Sequence, residues 1–177
     1  MSDTTPSLKS RLPLIIGCLL ILGAGYLAFV PTYRPYDRTG PTDQMMARLS
    51  DLADAQRLYY RSQNLDRGQA RFAGPAPAVP GDPKLTLCDN AVPQPVTPSN
   101  QTWSHPVWRA LNYAPTSDLH YAYAIEAAGQ GQTAHFTIRA IGDQDCDGVY
   151  ATFERLGTVT TDGDIRTDLI YVKDEDA

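Results

Sequence analysis

An acidic run at residues 143–154, DQDCDGVYATFE, constrains the fold more than any other stretch of this chain. Three aspartates alternate with other residues, a glycine follows them, and a glutamate closes the run. The spacing matches the calcium-loop template D-x-[DN]-x-[DN]-G-x5-E at every constrained position. Calcium binds about six to eight oxygen atoms, and the alternation lets one short turn present several carboxylates to it. The predicted Ca²⁺ ligands are the side chains of Asp143, Asp145, Asp147 and Glu154 and the main-chain carbonyl of Val149.

The residues on both sides of this run favour strands over the helices of a helix–loop–helix calcium site. Residues 134–141 alternate apolar and polar side chains, and residues 152–156 are also strand-like. The run therefore predicts a turn between two strands. Asp and Gly are also preferred in turns that bind no metal, so a solvated acidic hairpin is the alternative interpretation.

The rest of the chain after residue 41 predicts one long helix followed by a sheet. Thr42 has the character of an N-cap, and apolar-leaning residues recur at helical spacing as far as about Asn64. Prolines are frequent between residues 74 and 100, which predicts an irregular connection. Leu119–Ala127 alternates like a strand, and residues 165–172 add further strands. We therefore expect an α+β fold in which an amphipathic helix packs on a small antiparallel sheet.

Residues 12–30, LPLIIGCLLILGAGYLAFV, contain no charged side chain. A helix of this length crosses a hydrocarbon core of about 30 Å. We expect an uncleaved transmembrane helix, with a cleaved signal peptide or a lipoprotein cut before Cys18 as alternatives. The predicted organisation is a cytoplasmic tail (1–11), a transmembrane helix (12–30), a linker (31–41), a globular head (42–173) and an acidic tail (174–177). The expected location is the bacterial inner membrane, crossed once, with the head periplasmic or extracellular.

Two of the three cysteines, Cys88 and Cys146, fall in the predicted head. Disulfides form and persist in oxidising compartments outside the cytoplasm. An extracytoplasmic head therefore predicts a disulfide between these two residues. The bond would tie the proline-rich segment to the acidic run.

The charge balance argues against nucleic acid as a partner. Of the 20 acidic and 15 basic residues, only Asp3, Lys9 and Arg11 precede residue 31, which leaves a formal charge of −6 on residues 31–177. Nucleic-acid binding is dominated by basic contacts to phosphate. The sequence also contains no nucleophile elbow and no glycine-rich phosphate loop, so we do not expect an enzyme.

Short motifs in the head resemble type IV pilins. The cluster Ala55-Gln-Arg-Leu-Tyr-Tyr60 is similar to the end of the pilin helix, and the stretch Trp108–Tyr123 resembles the entry into the pilin sheet. Ala140-Ile-Gly-Asp-Gln-Asp-Cys-Asp-Gly148 resembles an acidic block of many bacterial pilin-like proteins. The resemblance implies a structural or assembly protein. Besides the membrane, its expected partners are other pilin-like subunits or their assembly machinery.

The resemblance does not extend to the apolar run at residues 12–30. That run lacks the pilin processing motif, a glycine followed by Phe-Thr-Leu-Ile-Glu, and prolines at positions 31, 35 and 41 interrupt the helix that pilins continue. The chain resembles a pilin head on a plain membrane anchor. A membrane-tethered, calcium-dependent binding module outside any filament is the second expectation, and a lipoprotein or secreted hydrolase with an unrecognised site is the third.

Overall fold

The computed structural model describes residues 40–63 and 68–173. Three helices, eight strands and one 3₁₀ turn are described in these ranges. In chain order they are α1 (Pro41–Ser62), β1 (Ala76–Val79), α2 (Pro83–Thr86), β2 (Cys88–Asp89), β3 (Val92–Pro93), α3 (Pro106–Ala110), β4 (Ala122–Ala128), the 3₁₀ turn (Gly131–Thr133), β5 (His135–Gly142), β6 (Ala151–Val159), β7 (Ile165–Thr167) and β8 (Tyr171–Lys173).

One antiparallel sheet organises the described residues, with the strand order β1-β4-β5-β6-β7. Strand β8 also pairs with β6, beside Thr152–Glu154, whereas β7 pairs with Gly157–Val159. The central strands alternate as the sequence predicts, because Phe136, Ile138 and Ala140 of β5 are buried and their neighbours are not. Strands β2 and β3 form a separate two-stranded ribbon.

Helix α1 buries one side in the core that the sheet supplies. Met45, Leu49 and Leu52 are fully buried, at the spacing of three and four residues that defines one face of a helix. Gln56 continues this face, and its amide group donates to the carbonyl of Ala73 and accepts from the amide of the same residue. A buried side-chain amide is tolerated here because both of its ends have partners.

Arg48 is the exception on the buried side of α1. The residue is charged, yet it is only 7% exposed. Its guanidinium donates to the carbonyls of Ser117 and Asp118 and to the Ser117 hydroxyl. It also lies 5.8 Å from the centre of the Tyr123 ring. Burial raises the pKa of Tyr123 to about 12, although the charge of Arg48 acts in the opposite direction. A buried cation is stable in this position because several acceptors surround it.

Two boundaries differ from those that the sequence predicts. Helix α1 begins at Pro41, inside the predicted linker, and its N-cap is Gly40, not Thr42. Proline is well suited to the first helical position because its missing N–H would have no partner there. Strand β1 lies in the proline-rich segment that predicts an irregular connection. It occupies the edge of the sheet, where proline is tolerated in a strand.

The predicted fold class, an α+β fold headed by a transmembrane helix, is wrong: the described residues are mostly sheet with few helices. None of the helices in residues 40–63 and 68–173 is both long and apolar enough to cross a membrane. Helix α1 has 22 residues, but Asp51, Asp54 and Arg61 lie on its exposed side. Lipid does not solvate such charges as water does.

The predicted location, a single-pass inner-membrane protein with a cytoplasmic N-terminus, is corrected on the same finding. No helix in the described part of the chain supports a membrane span. The apolar run at residues 12–30, the N-terminal tail, residues 31–39 of the linker and the acidic tail lie outside the described residues.

Candidate metal centre in an acidic loop

The acidic loop, defined as residues 143–150, joins two neighbouring strands of the sheet. Strand β5 ends at Gly142 and β6 begins at Ala151, and these two residues form the last pair of the ladder. The loop therefore leaves and re-enters the sheet at one point. The strands on both sides hold its two ends at a short, constant separation.

Asp143 closes the loop from inside. Its side chain is 2% exposed, and its carboxylate accepts hydrogen bonds from the amide of Asp147 at 3.2 Å and from that of Gly148 at 2.9 Å. A buried carboxylate needs such donors because it has lost its hydration. These bonds span four and five residues, so they draw the far side of the loop toward its start.

Asp145 and Asp147 repeat the same interaction over shorter spans. The Asp145 carboxylate accepts from the amide of Asp147 at 3.3 Å, and the Asp147 carboxylate accepts from the amide of Val149 at 2.7 Å. Aspartate stabilises turns in this way because its side chain reaches the amide two residues ahead. Both side chains are exposed, in contrast to Asp143.

The three carboxylates converge. One oxygen from each of Asp143, Asp145 and Asp147 lies within 4.8 Å of the others. Ligand oxygens lie about 2.3–2.6 Å from a bound calcium ion, so two of them are at most about 5 Å apart. Three close negative charges repel one another, and a divalent cation would offset that repulsion. The donor set therefore fits a hard cation such as Ca²⁺.

The backbone of the loop needs two left-handed residues. Cys146 has a φ of +58° and Gly148 a φ of +92°. A Cβ atom built on Gly148 would meet nothing within 4 Å, so the glycine is required for its backbone angle and not for space. This agrees with the role that the calcium-loop template gives to its glycine.

The structure brings together the two cysteines for which the sequence predicts a disulfide. The sulfur atoms of Cys88 and Cys146 are 2.07 Å apart and their Cα atoms 5.8 Å apart. The bond joins the β2–β3 ribbon to the acidic loop. Joined sulfurs are not thiolates, so the cysteines beside Asp143 offer no metal ligand.

Glu154 is not brought together with the three aspartates. It lies in β6 directly opposite Arg139 of β5, and the two side chains form an ion pair that Glu126 shares. The hydrogen bond that Arg139 donates to the Glu154 carboxylate is the main cause that raises the pKa of Arg139. Strand β6 begins at Ala151, inside the twelve-residue template, so Glu154 lies farther along the sheet and not beside the aspartates. A helix after the loop would have returned it to the ion.

Val149, the predicted carbonyl ligand, lies in the loop with its side chain 48% exposed. Its amide donates to Asp147, and the role of its carbonyl stays a prediction.

Lys84 and Tyr150 form a contact that sequence reasoning missed. The Lys84 ammonium lies 5.5 Å from the centre of the Tyr150 ring, at a distance at which a cation is attracted to an aromatic face. Burial and then the Asp143 carboxylate raise the pKa of Tyr150. The residues are far apart in sequence, so no local spacing could have indicated the pair.

A cleft of about 750 Å³ lies by the end of α1 and the turn at residues 160–164. Its walls include Tyr60, Arg61, Gly131, Asp162 and Asp164. Sequence reasoning did not predict it, because it is formed by segments that are distant along the chain.

Comparison with protein-family models, with curated proteins and with solved structures finds no match to this chain. The similarity to type IV pilins therefore rests on the short motifs alone.

Proposed function

We propose that this protein is a non-catalytic structural or assembly subunit with a pilin-like head, and that its acidic loop binds Ca²⁺. The observation that carries the proposal is the convergence of three carboxylates within 4.8 Å in a loop whose backbone follows the glycine pattern of a calcium site. Pilin-like subunits or their assembly machinery are the partners that the motifs imply.

The pilin-like motifs occupy positions that suit a structural head. Gln56 of the Ala-Gln-x-x-Tyr-Tyr cluster holds the chain at Ala73, and Tyr60 donates to the carbonyl of Gly131. Trp108 is fully buried and lies edge-on to Trp103. The helix cluster thus joins segments that are distant in sequence, as a scaffold does, whereas the tryptophan pair packs within its own segment.

The calcium site that we propose is structural. Asp143 already closes the loop through two amides, so binding adds rigidity without requiring a new conformation. Three protein carboxylates, with carbonyl or water oxygens completing the set, fit a weak site with a Kd of about 0.1–1 mM, as in extracellular modules.

Thermal unfolding of the full chain in calcium and in chelator tests the proposal. At ten times the Kd, binding stabilises the native state by about 1.4 kcal/mol, which is a Tm increase of about 4 °C for a domain of this size. Asp145→Ala should abolish the increase. Asp162→Ala, in the other acidic turn, is the matched control and should retain it.

Equal Tm values for the wild-type protein in calcium and in chelator would contradict the proposed calcium site and would show that the loop is an acidic hairpin stabilised by its own hydrogen bonds. An equal increase in the wild type and in Asp145→Ala would place the ion elsewhere.

A calcium-dependent binding module outside any filament is the second candidate. It is favoured by exposed apolar side chains that lie close in sequence to the two cysteines of the disulfide: Leu85 is 81% exposed, Val92 51% and Val149 48%. Large apolar side chains in contact with water are typical of binding surfaces when they are grouped. This candidate predicts a partner that binds only in calcium and is lost in Leu85→Asp, with the Tm unchanged.

A further inference from the structure

The segment at residues 82–94, here called the arm, is a local unit. Its backbone hydrogen bonds close within it: the amide of Leu85 donates to Asp82, that of Leu87 to Pro83 and that of Gln94 to Leu87. Strands β2 and β3 pair with each other and not with the main sheet. The arm therefore takes its internal order from short-range contacts.

The arm meets the acidic loop at two points along its length. Lys84 lies over the ring of Tyr150, and Cys88 is joined to Cys146. Leu87 is the buried side chain between them, at 3% exposure, but it does not belong to the main core cluster. Its neighbours in the arm are half-buried or exposed. A cation–π contact is far weaker than a covalent bond, so the disulfide is the strongest of these attachments.

We propose that the Cys88–Cys146 disulfide is a redox-operated latch. Its reduction releases the arm from the acidic loop while the helix and the sheet stay folded. A dithiol supplies the two electrons and two protons. One of its thiolates attacks a protein sulfur to form a mixed disulfide and expel the other protein sulfur as a thiolate, which takes up a proton. The second dithiol sulfur then closes the reductant into its own disulfide and frees the second protein thiol.

The acidic loop keeps its form when the latch opens. Asp143 is buried and holds the amides of Asp147 and Gly148 without help from the cysteines, and both ends of the loop continue into the β5–β6 ladder. The arm has no comparable anchor in the sheet among the described residues. The release is therefore one-sided: the arm moves and the loop stays.

Hydrogen–deuterium exchange of the full chain tests the latch, with oxidised protein, protein reduced by dithiothreitol, and Cys88→Ser. Chelator is present throughout, so the result is independent of the proposed calcium site. We expect peptides covering residues 82–94 to exchange at least about tenfold faster after reduction, as expected for a locally opened segment. Peptides covering β5 and the acidic loop should not change. Leu87→Ala with the disulfide intact is the control and should keep most of the protection of the arm.

Unchanged exchange of the arm after reduction would overturn the proposal, because Leu87 and Lys84 would then hold it unaided. Faster exchange throughout β5 would also overturn it, since the disulfide would then maintain the whole fold. If Cys88→Ser does not fold, the reduced wild-type protein still decides between these outcomes.

Discussion

Two acidic turns of the same sheet show how similar sequences produce different surfaces. The acidic loop joins β5 to β6, and the turn at residues 160–164, TTDGD, joins β6 to β7. Both combine aspartate with a glycine in the left-handed region, Gly148 in one and Gly163 in the other. Both connect antiparallel neighbours. A search for acidic, glycine-containing turns would select the two equally.

Their carboxylates have different partners. Asp143 points into the protein and collects amides of its own loop, which draws Asp145 and Asp147 beside it. In the second turn, Asp162 accepts from the Thr160 hydroxyl, and Asp164 pairs with Arg61 of α1 at 2.7 Å. In the acidic loop, the buried carboxylate of Asp143 thus brings the negative charges together. In the second turn, the Thr160 hydroxyl and the Arg61 cation bind one aspartate each and keep the two charges apart.

Only the acidic loop is held by a disulfide, so we expect the removal of that bond to have the largest effect on the free energy of unfolding. The bond spans 58 residues, and the chain-entropy model assigns such a bond about 4 kcal/mol. When the arm is released, the native state without the bond also regains conformational entropy, and this offsets part of the stabilisation of about 4 kcal/mol. We therefore expect Cys88→Ser to lower the free energy of unfolding by less than about 4 kcal/mol in urea denaturation. A loss equal to the full value would indicate that the arm stays ordered without the bond.

Asp143→Ala should produce the next largest loss. The change leaves the amide of Gly148 without its acceptor and the amide of Asp147 with only its 3.3 Å bond to Asp145, at a cost of about 1–3 kcal/mol in the free energy of unfolding. Asp162→Ala is the matched change in the exposed turn and should leave the urea midpoint unaltered. Equal midpoints for the two variants would mean that the buried carboxylate does not organise its loop.

The Tm increase in calcium tests whether Glu154 is a ligand in the way that we propose for the aspartates. Glu154→Gln should keep the Tm increase of about 4 °C in calcium, because Glu154 pairs with Arg139 in the sheet. Loss of the Glu154–Arg139 ion pair should lower the free energy of unfolding in chelator by less than about 1 kcal/mol, as for other partly exposed ion pairs. Loss of the calcium response in this variant would show that Glu154 reaches the ion after all.

The smallest effect concerns the pKa of Asp164. The amide of Ile165 and then the guanidinium of Arg61 lower it from the usual value of 3.8. A lowered pKa stabilises the native state above the usual value, and the contribution disappears as the pH falls through the folded-state pKa. Arg61→Ala should raise this pKa part of the way, since the amide remains.

Carboxyl ¹³C NMR titration measures this change directly. Asp162 is the internal control, because the Thr160 hydroxyl is the main cause of its lowered pKa and Arg61 is not among the causes. An equal rise at both aspartates would point to a general change of the turn, in place of the loss of one ion pair.

Local pattern predicted much of the sheet and little of the site. Strands β4, β5 and β6 lie within one to three residues of their predicted positions because half-buried strands leave a period of two in the sequence. Strand β1 was missed because Pro77 and the prolines on either side of the strand indicate a loop, and only the place of β1 at the edge of the sheet makes Pro77 acceptable in a strand.

The amino-acid sequence by itself determined the acidic turn, its glycine, the residues that alternate around it and the two cysteines that meet beside it. These depend on neighbours a few residues apart or on the identity of the side chains. The tertiary structure alone decided which carboxylates converge. Asp143 turns inward where two strands separate, while Glu154 continues along β6 to Arg139. The direction of a side chain at the end of a ladder depends on strand register, and register is set by pairing between segments, which no single stretch of sequence encodes.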